Sequence, residues 1–486
     1  MRSQTQFGFL KVKMRNLTLL TDFYELTMMN GYLKCGTANK RAVFDVFYRG
    51  VGGFSYAVAA GLDQVIDYIE NLHFDNDDIE YLRSLGTFDE EFLTVLKNFK
   101  FTGDVKAIPE GTIVFPYEPL LTVTATLFEA QLLETAVLTF INHQTLIATK
   151  ALRLCESTEG QILEFGLRRA QNADAGIYGA RAAYIGVCRS TSNILAGKMF
   201  DIAVKGTHAH SWVMSFPDEL TAFRKYAEIY PDGCLLLVDT YDTLKSGVPN
   251  AIKVFDELKQ KGYKPLGIRL DSGDLAYLSK KARVMLDEAG HSDVKIFASG
   301  DIDEDVLLAL RTQDAKIDIY GIGTRLITSY TNPSLGGVYK LAAMEDENGN
   351  MSPKIKVSNT PAKITNPGLK KVVRIYDKDK MAAADLICLD DDTFDESKPL
   401  TIFHPEQIWK KTTFENYKVV NLMVDIFKGG KLVYKNPDLH AIGKHLDEEV
   451  ASFYPEYLRV INTQEYKVDL SQRLYDLKHN LLLNRH

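Results

Sequence analysis

An α/β architecture built on a parallel sheet or barrel is the fold class this chain predicts, and three observations predict it. Short apolar runs recur at Ile162–Phe165, Ile202–Val204, Leu235–Val238, Leu266–Leu270, Ile296–Ala298 and Ile317–Ile322. Helical patterns separate several of them, and strand followed by helix, repeated, means βα units. Each run ends in polar or glycine residues: Asp239, Asp271-Ser272-Gly273-Asp274, Ser299-Gly300-Asp301 and Gly323-Thr324. In such sheets the loops after the strands form one face, and that face carries the chemistry.

The intervening helices have their own signals. After Ser272, apolar Leu275, Leu278, Ala282, Met285, Leu286 and Ala289 share a face, and Gly290 ends the helix. Asp301 with Glu304 three residues later predicts a capping box. Pro217 suits the first turn of a helix bearing Leu220, Phe223 and Ala227. Outside this zone, Ala42–Tyr48 reads as a strand. Thr112–Thr124 reads as an edge-like strand because it holds Pro116 and Pro119. Leu127–Ala151 is interrupted by Glu129, Glu134, His143 and Gln144, so it reads as a buried helix pair and not a membrane span. Val372–Tyr376 with Ala384–Leu389 predicts a hairpin, and Leu422–Phe427 with Leu432–Tyr434 a second. Asp390–Asp392 reads as a solvated turn.

The chain has 486 residues, 45% hydrophobic and 25% charged, enough for two or three domains each with a core. Its net charge of −7 argues against a nucleic-acid partner and leaves room for small phosphorylated ligands. Cys35, Cys155, Cys188, Cys234 and Cys388 are scattered and odd in number, which fits buried free thiols in a reducing compartment. Met1–Lys13 lacks the apolar core of a secretory signal and reads as a leader, with Met14 a possible start.

The strand-end clusters admit several chemistries. Gly321-Ile322-Gly323-Thr324 and Ser299-Gly300-Asp301 are two candidate phosphate cradles, since closely spaced glycines let backbone N–H groups approach an anion. Arg269 and Asp271 fall on one strand face by the period of two. They form either a structural ion pair, or an Arg for a carboxylate ligand with Asp271 and Asp274 for ribose hydroxyls or hydrated Mg²⁺. In Gly206-Thr207-His208-Ala209-His210-Ser211, metal ligand, phosphoryl acceptor and core histidine are comparable readings, with Asp239 a plausible orienter of the ring. Glu164-Phe165-Gly166-Leu167-Arg168-Arg169 offers two Arg for pyrophosphate, or for solvent. Thr21-Asp22-Phe23-Tyr24 reads by itself as a helix cap.

Taken in order, these motifs resemble the nicotinate phosphoribosyltransferase family. The likeness runs from Leu19-Leu20-Thr21-Asp22-Phe23-Tyr24 through Phe44–Arg49 and Ala59-Ala60-Gly61-Leu62. It continues through Glu164-Phe165-Gly166-x-Arg168-Arg169-Ala170, Gly206-Thr207-x-Ala209-His210-Ser211, Arg269-Leu270-Asp271-Ser272-Gly273-Asp274 and Gly321-Ile322-Gly323-Thr324 to Pro333-Ser334-Leu335-Gly336-Gly337-Val338-Tyr339-Lys340. The resemblance implies an irregular α/β barrel of the type II phosphoribosyltransferase kind beside a mixed α+β domain from both chain ends. The expected division is a leader at 1–13, a mixed-domain part at 14–150, a barrel at 151–345, and a part at 346–486 packing back on the mixed domain.

The implied reaction joins nicotinate to the ribose C1 of phosphoribosyl pyrophosphate, in the cytoplasm, with Mg²⁺ carried by pyrophosphate and not held by a dedicated protein site. It is coupled to ATP through a phosphohistidine. On this chain that implies His210 as acceptor with Asp239, and Asp271 beside the reacting carbon. Tyr24, Phe165, Ser192, Thr207 and Arg269 would bind nicotinate. Asp22, Arg49, Arg168, Asp274, Gly300, Asp301, Gly323 and Thr324 would bind phosphoribosyl pyrophosphate. The resemblance also implies a homodimer in which Asp22, Tyr24 and Arg49 complete the other subunit's site, with no membrane or nucleic-acid partner. The nearest rival is nicotinamide phosphoribosyltransferase, which carries an Asp where this chain has Ser192. More distant rivals are a Schiff-base lyase using Lys205 and a catalytically dead binding protein.

Overall fold

The computed structural model describes residues 15–50 and 54–484, so the expected 1–13 leader and Met14 lie outside the described residues. The six apolar runs and one further segment form seven parallel strands: β1 (Gln161–Glu164), β2 (Ser190–Thr191), β3 (Ala203–Val204), β4 (Leu235–Leu237), β5 (Gly267–Leu270), β6 (Lys295–Gly300) and β7 (Ile319–Ile322). Their order is β3-β2-β1-β7-β6-β5-β4. The short polar strand β2 is one the apolar pattern does not reveal. Alternation divides the sheet's side chains between two faces. Leu163, Leu235 and Phe297, with Phe165 and Ile319, fill the concave interior, and Ile268, Leu270 and Ile296 pack outward against helices.

Among the described residues no backbone ladder joins β3 to β4. The seam is spanned by side chains instead. The Thr207 hydroxyl donates to the Leu235 carbonyl at 2.6 Å, and the Leu237 N–H donates to His208 Nε2 at 3.3 Å.

A second, antiparallel sheet takes strands from both chain ends, in the order 351–353, 337–345, 41–48, 121–126, 104–107, 424–428 and 431–432. Strand 121–126 lies between two partners, so the expected edge strand is interior. Pro116 and Pro119 fall in the turn after 113–114, where Tyr117 has φ 70°. Strand 337–345, the last part of the expected 151–345 segment, pairs along strand 41–48 and belongs to this sheet. The hairpins at 370–376/382–389 and 424–428/431–432 form as the sequence predicts.

Helix Leu127–Leu132 opens with a capping box between Thr126 and Glu129, and Glu134–Glu156 continues it as a long buried helix. No helix among the described residues is long and apolar enough to cross a membrane. A fully buried Arg374 ties the parts together. It grips Asp385 with two bonds (2.8 and 2.7 Å), Glu449 at 2.6 Å and the Ile113 carbonyl at 2.6 Å.

Three local expectations are corrected. The helix after β6 is capped by Asp303, not Asp301, because Asp303 accepts from Val306 N–H at 3.1 Å. Glu304 instead turns inward to Lys150. Asp218, not Pro217, begins helix Glu219–Ile229, accepting from Thr221 N–H at 2.8 Å. Asp390–Asp392 is more than a solvated turn: buried Asp392 accepts from Ser471 at 2.7 Å and Arg473 at 2.6 Å. All five cysteines are free and Cys188, Cys234 and Cys388 are buried, but Cys35 is exposed.

Candidate active site

The strand ends of the parallel sheet bring most of the expected residues to one mouth. Arg269, in the middle of β5, shares its register with Phe297 and Leu237, so its side chain belongs to the concave face with Phe165. Burial leaves this guanidinium in an unusual state. Its Nε lies buried without a partner, and its nearest anion is Asp271 Oδ1 at 3.9 Å. Burial lowers its pKa, and the nearby positive charge of Arg168 adds to the effect. A buried, under-paired cation of this kind calls for an anion.

Phe165 lines the same concave face. Its ring lies against Gly321 so closely that a Cβ there would stand 2.5 Å from Cδ2. Gly323 is equally confined, since a Cβ would meet the Phe165 carbonyl at 3.0 Å. Gly300 has φ 128°, a conformation that side chains disfavour, and brings the start of the Asp301 turn against the Asp271 carbonyl. Thr324 opens the short helix Thr324–Ile327, and Arg168 lies exposed in the turn Leu167–Arg169. Asp274 caps helix Leu275–Glu288, accepting from Tyr277 N–H at 2.9 Å. Ser192 ends β2, held by its N–H to the Glu164 carbonyl at 2.9 Å.

The two histidines separate cleanly. His208 is buried, edge-on to Tyr226 at 4.7 Å, and burial lowers its pKa to about 4. It is a neutral structural ring. His210 is half-exposed at the mouth. Its Nδ1 meets the Thr240 hydroxyl at 3.1 Å and its Nε2 lies 3.8 Å from Asp271 Oδ2. Asp239, expected to orient this ring, is engaged elsewhere. Its Oδ2 accepts from Asp271 N–H at 2.9 Å and Ser272 Oγ at 2.7 Å. Thr240 is the mouth residue that sequence reasoning missed; Ser272 and Ser299 (which donates to Asp271) stand in the strand-end motifs, which assign them no role of their own. The pair Asp239-Thr240 was legible as a strand end, but only its acid drew attention.

Thr207 is placed at the mouth with its hydroxyl proton committed to the Leu235 carbonyl, so the lone pairs are what it presents unless that bond is exchanged. Lys205 is exposed, which removes the burial that depresses the pKa of a Schiff-base lysine.

Asp22, Tyr24 and Arg49 form a separate group on the antiparallel-sheet domain. Among the described residues no hydrogen bond, ion pair or ring contact joins it to the barrel mouth within this chain. Asp22 accepts from Thr135 at 2.8 Å, and partial burial, together with the nearby Glu134 carboxylate, raises the pKa of Tyr24. Arg49 lies 5.7 Å over the Phe47 ring with its Nε buried and unpartnered. Lys340, 3.7 Å from Glu134, is near enough to feel the Arg49 charge.

Among the described residues no three His, Cys, Asp or Glu side chains gather as a metal cage. A divalent cation that arrives with phosphate oxygens needs less: Oδ1 of Asp239 is buried and without a partner, and Asp271, at the neighbouring strand end, donates its backbone N–H to the other oxygen of Asp239. These oxygen donors fit Mg²⁺, which keeps water and substrate ligands.

Three family models match the chain: the N-terminal domain of nicotinate phosphoribosyltransferase over 19–142, the nicotinate phosphoribosyltransferase family over 160–387, and its C-terminal domain over 369–478. A Bacillus subtilis nicotinate phosphoribosyltransferase is 45% identical, covering 97% of this chain and 96% of its own. A Caenorhabditis elegans relative of that name is 36% identical, covering 96% and 93%. The crystal structure of human nicotinic acid phosphoribosyltransferase superposes with a TM-score of 0.82 at 29% identity, over 95% of this chain and all (100%) of that one.

Proposed function

This chain belongs to the nicotinate phosphoribosyltransferase family of enzymes, and on that premise we propose that it transfers phosphoribosyl from phosphoribosyl pyrophosphate to nicotinate in an ATP-coupled reaction. Pyrophosphate and nicotinate mononucleotide are released, a step toward NAD. The observation that carries the choice of ring acid is the largely buried Arg269 guanidinium, its Nε unpaired, on the concave face that Phe165 also lines. A pyridine carboxylate satisfies the charge, and the flat ring packs on the aromatic wall.

In the transfer, the pyridine nitrogen lone pair forms the bond to C1 as the bond from C1 to the pyrophosphate oxygen breaks. No proton moves. Positive charge develops on the ribose, so the Asp271 carboxylate stabilises the transition state. Arg168 steadies the departing pyrophosphate, while Gly300, Asp301, Gly323 and Thr324 hold the phosphate groups and Asp274 the ribose hydroxyls. Asp239 and Asp271 would hold Mg²⁺, which when bound neutralises charge on the leaving group.

His210 is the phosphoryl acceptor in the ATP-coupled cycle. With Nδ1–H donating to Thr240, its Nε2 is left with a free lone pair facing the mouth. The γ-phosphorus bond to ADP breaks as the bond to Nε2 forms, and water later takes the phosphoryl group. Asp22, Tyr24 and Arg49 of a second copy complete the site, with Tyr24 on the open face of the ring. Their separation from the mouth within one chain supports this reading.

Replacing Arg269 by Gln tests the assignment. The KM for nicotinate should rise roughly 100-fold, the scale of a lost buried charge pair, with the KM for phosphoribosyl pyrophosphate far less affected. An unchanged nicotinate KM removes Arg269 from the ring pocket. Wild-type turnover faster with nicotinamide than with nicotinate selects the amide-using alternative.

A further inference from the structure

We propose that His208 is a positioning residue for His210, locking the histidine loop to strand β4 across the seam of the barrel; this rests on the reading of His210 as phosphoryl acceptor. Among the described residues, no backbone bonds join the chain on either side of the seam, 203–209 and 235–240. The contacts that span it are those of Thr207, His208 and His210. The Leu237 N–H, two residues before Asp239 and three before Thr240, ends on His208 Nε2 at 3.3 Å. On the same ring, Nδ1 lies 3.4 Å from the Ala209 carbonyl. These two contacts define one tautomer: Nδ1–H donates and Nε2 accepts.

The consequence follows from chain geometry. His210 lies two residues after His208, and its ring bonds Thr240, three residues after Leu237. The His208 bond therefore fixes the separation of two segments whose tips must meet for Nδ1 of His210 to reach Thr240. Without it, Leu237 N–H is a buried donor with no acceptor, a penalised arrangement that favours a wider seam in which water can take the bond. The rings around His208 restrict its own movement: Tyr226 at 4.7 Å, and Phe223 at 6.4 Å. Burial, by holding the pKa near 4, keeps the ring in the neutral form that this bond needs.

The test pairs His208→Phe, which keeps an aromatic ring against Tyr226 and loses the acceptor, with His208→Gln, whose side-chain oxygen reaches where Nε2 stood. His208→Phe should lower ATP-stimulated turnover by roughly 10- to 100-fold, the scale of a misplaced reacting group, while the KM for nicotinate moves little. His208→Gln should restore most of it. In protein labelled with ¹⁵N-histidine, wild-type His208 should show the Nδ1–H tautomer. The ring resonances of His210 should move in His208→Phe and return in His208→Gln. Wild-type turnover and unmoved His210 resonances in a folded His208→Phe protein would overturn the proposal, as would a folded His208→Gln protein that fails to rescue. If ATP stimulates nothing in the wild type, the coupling reading fails, and the His210 resonances still decide whether His208 positions that ring.

Discussion

Nε2 of His210 stands 3.8 Å from the carboxylate of Asp271, and Nδ1 stands 3.1 Å from the hydroxyl of Thr240. The ring is therefore held between an acid on one strand end and an alcohol on another. The acid favours protonated Nε2, whereas the alcohol can accept from Nδ1–H or donate to bare Nδ1. A phosphoryl acceptor needs Nε2 bare, and the role proposed for His210 therefore requires Thr240 to accept from Nδ1–H.

From this follows a contrast between neighbouring residues. Thr240→Val should reduce labelling of the protein by γ-labelled ATP about tenfold, since the hydroxyl that holds Nδ1 and so orients the ring is gone. Asp239→Asn should leave the His210 ring contact in place and disturb the 271–274 loop that Asp239 braces. The label in the wild type should be acid-labile, base-stable and absent from His210→Ala. Equal labelling of Thr240→Val and wild type would return the orienting role to another group.

Much of this site was legible because buried parallel strands are poor in polar residues, so Asp239, Arg269–Asp274 and Ser299–Asp301 stand out at their ends. What escaped has a physical reason in each case. β2 is Ser190-Thr191, polar yet buried because Thr191 bonds the Glu164 carboxylate, so no apolar pattern marks it. The cap after β6 was misplaced because Asp301, Asp303 and Glu304 offer competing acids, and only the backbone turn at Gly300 chooses Asp303. The orienter of His210 was sought among carboxylates, yet the chain places the hydroxyl one residue later against the ring. The order of motifs also says nothing of the distance between Tyr24 and Phe165, which lie on different domains of one chain.

Choice between acid and amide should be governed by charge at Ser192. It ends β2, whose neighbour β1 leads directly into Phe165. Ser192→Asp places a carboxylate where a hydroxyl can donate to the ring acid, so like charges meet in a site of low dielectric. The KM for nicotinate should rise roughly 10- to 100-fold, with nicotinamide gaining in relative kcat/KM. Full nicotinate activity in this variant would separate Ser192 from the pocket.

Glu25 gives the molecule a pH-dependent weakness near neutrality. It is buried, and burial pushes its carboxyl up to about 7 despite bonds from Thr135. The folded state holds this proton more tightly than the unfolded chain. Its stabilising contribution is thus full below the ordinary carboxylate range and is lost as pH rises through about 7. Glu25→Gln keeps the shape and cannot ionise. It should melt with the wild type at about pH 5 and above it at about pH 8.5. Identical melting at both values would mean that Glu25 ionises without cost in the folded protein.

Gly321 and Phe165 set the width of the ring pocket together. A Cβ at Gly321 would lie 2.5 and 2.6 Å from two carbons of the Phe165 ring, far inside van der Waals contact. The strand is buried there, so the backbone has little room to retreat and the ring must move toward the space assigned to nicotinate. Gly321→Ala should therefore raise the nicotinate KM by roughly tenfold at a stability cost of about 1–3 kcal/mol, the usual range for overpacking. Coupling is the decisive measure. In a Phe165→Ala background the clash has no partner, so the added effect of Gly321→Ala on KM should nearly vanish. If the two effects simply add, the glycine is needed for its backbone alone and Phe165 is not the wall it presses on.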